Sequence, residues 1–290
     1  MEIISGLNQK ERCLMDIEAH LYLQDHHIDG KAVMPAVESV IIMARAAQTV
    51  YPQIPMDLLR KAIFARFLPL ESDKPNRQIF VDLEKTADGS IKAYLMTFLK
   101  SKTGRVSRDI LHAYVEFAAE GGRKAASSPF RHVSRLEGEC ISIPSATIYR
   151  ELVTFGEAYQ NIIGDLAVSS HGALAYVSGG GHEADEQWLG SPFPLDAAMH
   201  AACVWGQRFA GIVGFPVGWE ERFICRKTQK GKDYLARVAP LTVAGDEITF
   251  NAWIYDANES LCEVVNGIRM KDVLRGRLRP PEWIKAEGQR

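Results

Sequence analysis

A histidine stands shortly before a glycine, a proline and an apolar helical pattern near the start of the chain. The segment 25–35 reads DHHIDGKAVMP, in which His26 is followed by Gly30 and Pro35. Glycine lets the backbone approach a ligand closely, and proline suits the first turn of a helix. An imidazole beside an apolar helix can stay neutral, because its reference pKa is about 6.5. The layout predicts that His26 is a general base.

Two other interpretations of this segment stay open. His26 and His27, together with Asp25 and His20, could bind a metal ion, although neighbouring side chains on an extended chain point to opposite sides. The segment could also be a plain turn that leads into a core helix. The spacing of these residues does not by itself choose among a base, a metal site and a turn.

An aspartate and a histidine lie four residues apart in a second helical pattern, LDAAMHAACVWGQRFAGIV. This spacing places Asp196 and His200 on the same face of a helix. Burial among the apolar neighbours Leu195, Met199 and Cys203 would favour the neutral carboxylic acid, which a general acid near neutral pH requires. In the structural alternative, the helix dipole stabilises the Asp196 carboxylate and His200 is only packed.

Each helical pattern is followed by strand-like segments. The sequence AVESVIIMARAAQ follows Pro35, and SPFPL leads into the second helix. Alternating apolar residues predict strands, and the turn at 87–89 predicts a hairpin. The predicted strands are 60–70, 78–84, 91–99 and 110–118 in the first half, and 221–228, 234–243, 248–254 and 261–270 in the second. The repeated order indicates a duplicated α+β architecture, each half an antiparallel sheet wrapped around a helix.

The two halves meet where the alternating apolar pattern stops. The sequence EGGRKAASSP at 120–129 is rich in glycine, serine and alanine, as a linker would be. We therefore predict an N-terminal half at 1–122 and a C-terminal half at 123–290.

Composition excludes several classes of function. The formal net charge is -2 over 290 residues, and no lysine- or arginine-rich run could follow a nucleic acid backbone. The most apolar windows are too short or too polar for a bilayer, and the N-terminus lacks the pattern of a signal peptide. The five scattered cysteines form no CxxC pair and are predicted to be reduced packing residues. The sequence therefore predicts a cytoplasmic protein with neither nucleic acid nor membrane as a partner.

Together, the two constellations resemble one enzyme family, the dehydratases of polyketide synthases. His26, Gly30 and Pro35 match the family motif HxxxGxxxxP. Asp196 and His200 match its second-half motif DxxxQ/H. The motifs occur in the family's order and with its separation.

The resemblance extends over nearly the whole chain. The segment 149–162 contains Tyr159 and is similar to the GxxYGPxF region of the family, with Gln160 and Asn161 where the family has Gly-Pro. The segment 264–273 is similar to the closing strand of the family.

The resemblance implies a double hot dog fold, which consists of two tandem hot dog halves. It implies that water is removed from a 3-hydroxyacyl thioester, with His26 taking the alpha proton and Asp196 protonating the departing beta-hydroxyl. His200 would orient Asp196, and a backbone amide near Gly30 would stabilise the charge on the thioester oxygen. The implied substrate-binding residues are Gly30, Pro35, Tyr159 and His200.

The same resemblance implies that no metal or redox cofactor is needed. The substrate would be carried on the phosphopantetheine of an acyl carrier protein, and other synthase domains or subunits are possible partners of a monomer or homodimer. Met1 favours a free-standing enzyme over a domain of a synthase. The alternatives are a hot dog enoyl isomerase or thioesterase, or a non-catalytic acyl-binding domain.

A geometric prediction follows from a site shared by both halves. The alpha hydrogen and the beta-hydroxyl sit on neighbouring carbons, so the side chains of His26 and Asp196 should lie roughly 4 to 7 Å apart across one apolar cleft. We expect this cleft between two adjacent helices that begin near residues 35 and 195. Its predicted lining is Val33, Met34 and Met199.

Overall fold

The computed structural model describes residues 2–5, 10–18, 20–71, 76–100, 107–120, 128–182 and 186–286. Within these ranges, two long helices lie against antiparallel strands. The α-helical segments are α1 (Ala36–Val50), α2 (Ser145–Thr147), α3 (Glu186–Leu189) and α4 (Phe193–Phe209). The strands are β1 (Glu2–Ser5), β2 (Lys10–Glu18), β3 (His27–Ile28), β4 (Lys31–Ala32), β5 (Leu58–Phe64), β6 (Asn76–Lys85), β7 (Ile91–Lys100), β8 (Ser107–Phe117), β9 (Ile141–Pro144), β10 (Ile162–Ser169), β11 (Gly172–Ser178), β12 (Phe215–Ile224), β13 (Asp233–Ala244), β14 (Glu247–Tyr255) and β15 (Leu261–Lys271).

One antiparallel sheet runs through both halves of the protein. In the described part of the chain it has 13 strands, in the order β1-β2-β6-β7-β8-β5-β12-β15-β14-β13-β11-β10-β9. The halves join where β5 pairs with β12, with Ala62 opposite Trp219. Both of these side chains are fully buried, so the junction is part of the core.

The order of strands repeats between the halves. In the first half, β5 follows the long helix, β6 to β8 form a meander, and β8 pairs with β5. In the second half, β12 follows the long helix, β13 to β15 form a meander, and β15 pairs with β12. The strand before the helix, β2 or β11, pairs with the first strand of the meander. This repeat confirms the predicted α+β architecture.

The two long helices form the inner layer. Helix α1 is buried over most of its surface, from Val37 to Ala47 with Ile42 and Arg45 as the less buried positions, and it packs against β6, β7 and β8. Helix α4 is buried on nearly every side, packs against β10, β11, β13 and β14, and contacts α1. The adjacent helices confirm the predicted arrangement. No helix in the described part of the chain is long and apolar enough to cross a membrane.

Two predicted strands differ most from their bounds in the structure, and the others differ by at most three residues at either end. The strand predicted at 60–70 ends at Phe64, and the one predicted at 221–228 spans Phe215–Ile224. Strand β5 contains a bulge at Lys61, whose φ is 50°. After the strand ends at Phe64, the N–H groups of residues 65 and 66 both donate to the carbonyl of His112, so the chain leaves the strand there. Most of the predicted linker at 120–129, and the boundary between 122 and 123, lie outside the described residues.

Candidate active site

A tight hairpin positions His26. The strands β3 and β4 pair around the turn Asp29-Gly30, whose φ values of 53° and 72° are those of a two-residue type I′ turn. Glycine suits the second position because its φ is positive. The Val33 N–H bonds to the His26 carbonyl at 2.9 Å, which places the His26 ring beside the start of α1.

Hydrogen bonding fixes the tautomer of the His26 ring. Nδ1 lies 3.0 Å from the carbonyl oxygen of Val33. A carbonyl only accepts, so Nδ1 carries the hydrogen and Nε2 keeps its lone pair. Burial lowers the pKa of His26 below its ordinary value of 6.5. The ring is therefore neutral at pH 7, with a free acceptor nitrogen.

Asp196 and His200 lie on one face of α4, in its first two turns. Nε2 of His200 is 3.0 Å from Oδ2 of Asp196. The N–H direction deviates too far from the line between these atoms for a good hydrogen bond, and neither atom has another partner among the described residues. Two buried polar atoms without partners cost free energy unless a ligand satisfies them.

One cavity of about 670 Å³ contains the predicted acid and base. His26, Asp196 and His200 all line it, although they come from different halves of the chain. The predicted lining residues Met34 and Met199 belong to its wall, as does Gly30. The cavity wall is mostly apolar, which strengthens electrostatic interactions inside it.

Three residues named in the sequence predictions are not among the described residues that line this cavity. The prediction for Val33 was wrong, because its side chain packs with Ile28 and Leu274 in a separate small cluster. Pro35 directly precedes α1, and its carbonyl accepts hydrogen bonds from the N–H and hydroxyl of Ser39. Tyr159 is fully buried, with its ring 5.2 Å from that of His26. The substrate-binding roles of Pro35 and Tyr159 stay predictions.

His26 and His27 both line the cavity, but they differ in burial. The His26 side chain is buried in the cavity wall, whereas the neighbouring His27 is exposed. This divergence is what an extended backbone produces for neighbouring side chains.

Phe155 is a site residue that the sequence analysis missed. Its ring lies 4.4 Å from the His26 ring and 5.1 Å from the His200 ring, so it contacts both sides of the site. Asp25 holds the segment that carries it: the Asp25 carbonyl accepts the N–H of Gly156 at 2.8 Å, and Oδ2 accepts the N–H of Ala158 at 2.9 Å. These bonds link segments about 130 residues apart, and no local pattern in the sequence could indicate them.

Gly156 permits this contact, and Gly156→Ala should disturb it. An added Cβ would lie 2.4 Å from Cγ of Asp25, whose carboxylate is already bonded. Overpacking of this kind should lower the free energy of unfolding by about 1 to 3 kcal/mol. It should also lower kcat, because Phe155 would shift. Urea unfolding and steady-state kinetics would measure both effects.

Gly181→Ala is the matched control, since a Cβ there meets nothing within 4 Å. It should change neither the free energy of unfolding nor kcat. Equal free energies of unfolding for the two variants would contradict a tight contact between Gly156 and Asp25.

Comparison with protein families shows where this arrangement belongs. A family model described as a polyketide synthase dehydratase domain matches residues 9–97, which include His26. A second, described as a polyketide synthase dehydratase N-terminal domain, matches residues 131–280, more than half of the chain, which include Asp196. The chain belongs to the polyketide synthase dehydratase family. This dehydratase is a hydro-lyase whose substrate is a 3-hydroxyacyl thioester of polyketide biosynthesis.

Solved structures share the architecture of this dehydratase. The dehydratase domain from the CurF module of curacin polyketide synthase is 19% identical, with a TM-score of 0.73 over 93% of this chain and 97% of that one. The dehydratase domain of PpsC from Mycobacterium tuberculosis is 19% identical, with a TM-score of 0.70 over 93% and 96%. The dehydratase domain of RzxB from Pseudomonas fluorescens is 16% identical, with a TM-score of 0.72 over 93% and 96%. These matches confirm the double hot dog fold. A comparison with curated proteins found no match.

Proposed function

We propose that this dehydratase acts on a 3-hydroxyacyl group carried by the phosphopantetheine of an acyl carrier protein, with His26 as base and Asp196 as acid. The observation that carries the proposal is the cavity itself. It presents a neutral imidazole from one half, together with two buried polar atoms without partners, on Asp196 and His200, from the other. A beta-hydroxyl placed between them would give both polar atoms a partner.

The reaction is an elimination. Nε2 of His26 takes the alpha proton, and negative charge develops on the thioester oxygen. A backbone amide near Gly30 stabilises that charge. Asp196 gives its proton to the beta-hydroxyl as the carbon–oxygen bond breaks, so water and an enoyl thioester leave. The imidazolium of His26 then returns a proton to the Asp196 carboxylate, which restores the starting state.

The burial of His26 suits both the uptake and the release of the proton in this cycle. A depressed pKa keeps His26 neutral before the reaction and makes its imidazolium ready to release the proton afterwards. Elimination beside a thioester is acid–base chemistry, so the proposal requires no metal or redox cofactor. Pro35 and Tyr159 would support the binding site from behind, and His200 would orient Asp196.

Asp196 also bears on the alternatives within the fold. A double-bond isomerase has no departing hydroxyl to protonate, and a non-catalytic acyl-binding domain needs neither the acid nor the base. A dehydratase uses both. The proposal includes a cytoplasmic location and, as partners, other domains or subunits of a synthase.

Mass spectrometry of 3-hydroxyacyl carrier proteins of varied chain length tests the proposed function. We expect loss of one water from at least one of them. We also expect a higher kcat/KM for the carrier-bound substrate than for the matching coenzyme A thioester, because the carrier adds binding contacts. Equal kcat/KM values would contradict the carrier part of the proposal. Absence of water loss from every substrate would reject the dehydratase assignment.

A further inference from the structure

Tyr149 lies behind His200. Its phenolic oxygen accepts a hydrogen bond from the N–H of Ile162 at 2.8 Å. Nδ1 of His200 lies 3.4 Å from the same oxygen, and the two rings meet edge to face. Tyr149 is buried and does not belong to the described residues that line the cavity. Tyr149 is therefore behind the cavity wall, and its contact with a lining residue of the acid pair is the one with His200.

The geometry leaves one direction for the hydrogen of the Tyr149 hydroxyl. The oxygen accepts from Ile162, and a buried hydroxyl also needs an acceptor for its own single hydrogen. Among the described residues, the acceptor that the Tyr149 hydroxyl reaches is Nδ1 of His200. Burial raises the pKa of Tyr149, so the phenol keeps this hydrogen. The hydroxyl is thus a lasting donor to Nδ1.

This donor determines which nitrogen of His200 carries the hydrogen. A neutral imidazole that accepts at Nδ1 has its hydrogen on Nε2. Nε2 faces Oδ2 of Asp196 at 3.0 Å. Among the described residues, neither Nε2 of His200 nor Oδ2 of Asp196 has a hydrogen-bond partner, so this N–H is available to a molecule in the cavity. It can donate to the oxygen of a beta-hydroxyl that Oδ2 of Asp196 protonates.

We infer that Tyr149 is a positioning residue: it fixes the Nε2–H tautomer of His200, which thereby presents a hydrogen-bond donor to the beta-hydroxyl oxygen beside the Asp196 carboxyl group that protonates it. The part of this inference that concerns proton transfer rests on the proposed function. The tautomer of His200 is a property of the resting protein and can be measured without substrate.

Tyr149→Phe tests the inference, because it removes the hydroxyl and keeps the ring. We expect kcat to fall about 3- to 10-fold, the effect of one ordinary hydrogen bond, with KM changed by less than about twofold. Nitrogen NMR of protein labelled at histidine should show the hydrogen of His200 on Nε2 in the wild type. It should show a mixture of tautomers in Tyr149→Phe. The spectrum of His200→Gln assigns the signals.

Tyr234→Phe is the matched control. The Tyr234 hydroxyl accepts the N–H of Gln229 at 2.7 Å, so this variant also loses a backbone hydrogen bond. Tyr234 is buried and is not among the described residues that line the cavity. We expect a similar loss of unfolding free energy in the two variants, but wild-type kcat and a wild-type His200 spectrum in Tyr234→Phe.

An unchanged tautomer in Tyr149→Phe would overturn the inference, whatever happened to kcat. An equal loss of kcat in Tyr234→Phe would also overturn it, because a general loss of stability would then explain both variants. If the wild type dehydrated none of the substrates while the NMR result was as expected, the proposed function would fail and the control of His200 by Tyr149 would stand.

Discussion

Replacing His26 with alanine is expected to lower kcat for dehydration by about 10²- to 10⁴-fold, the usual contribution of a general base. The variant lacks the Nε2 atom that would accept the alpha proton, and no other described residue occupies its place in the cavity wall. The hairpin of β3 and β4 is held by backbone pairing and should persist. Steady-state dehydration of a 3-hydroxyacyl carrier protein, with circular dichroism as a check on folding, would measure the effect.

His27→Ala is the neighbouring control for His26→Ala. The His27 side chain is exposed, so its removal should cost far less activity. The pH profile gives a second check: kcat/KM of the wild type should fall as the pH drops through a pKa below 6.5, since a protonated imidazole cannot accept a proton. Activity of His26→Ala within about threefold of wild type would remove the base assignment.

Asp196→Asn should be similarly damaging, with a loss of about 10²- to 10⁴-fold in kcat. The amide keeps the shape of the carboxyl group but cannot deliver a proton to the departing hydroxyl. If Asp196 served only to stabilise the first turn of α4, asparagine would replace it at little cost and activity would survive. Single-turnover measurement of water loss separates the chemical step from product release, so it is the measurement of choice.

His200→Gln is the comparison for Asp196→Asn. A glutamine amide can also present an N–H beside the Asp196 carboxyl group, and the family motif accepts glutamine at this position, so we expect a much smaller loss. A larger loss in His200→Gln than in Asp196→Asn would reverse the assignment and make His200 the acid.

The parts of the fold that follow from local pattern were predictable. Helix α1 begins directly after Pro35, and the hairpin of β6 and β7 turns at residues 86–90, around the predicted 87–89. The start of β12 was displaced in the prediction because this strand is irregular. It contains a register shift near Gly218 and a fully buried Arg222 that pairs with Glu263 at 2.9 Å. A buried charge breaks the alternation from which strands are predicted.

The sequence predicted those site residues whose position is set by a local motif. His26, Gly30, Asp196 and His200 line the cavity together, as the motifs indicated. Phe155 was missed because its place depends on hydrogen bonds that the N–H groups of Gly156 and Ala158 donate to Asp25, which is in the other half. Val33 was misplaced because the type I′ turn sets the direction of its side chain, and the sequence does not display the turn's exact geometry.

Because β5 pairs with β12, the two halves share one sheet within a single chain, and each half can diverge in sequence from the other. Asp196 is the fourth residue of α4, and the fourth residue of α1 is Ser39, whose hydroxyl is bonded to the Pro35 carbonyl. The position of α1 that corresponds to Asp196, counted from the start of the helix, therefore has no carboxylic acid side chain. A symmetric pair of identical halves would contain two reaction chambers, and covalent linkage lets each copy specialise under separate selection. With the proposed roles, the proton acceptor His26 comes from one half and the proton donor Asp196 from the other, so the two halves together would form one complete site.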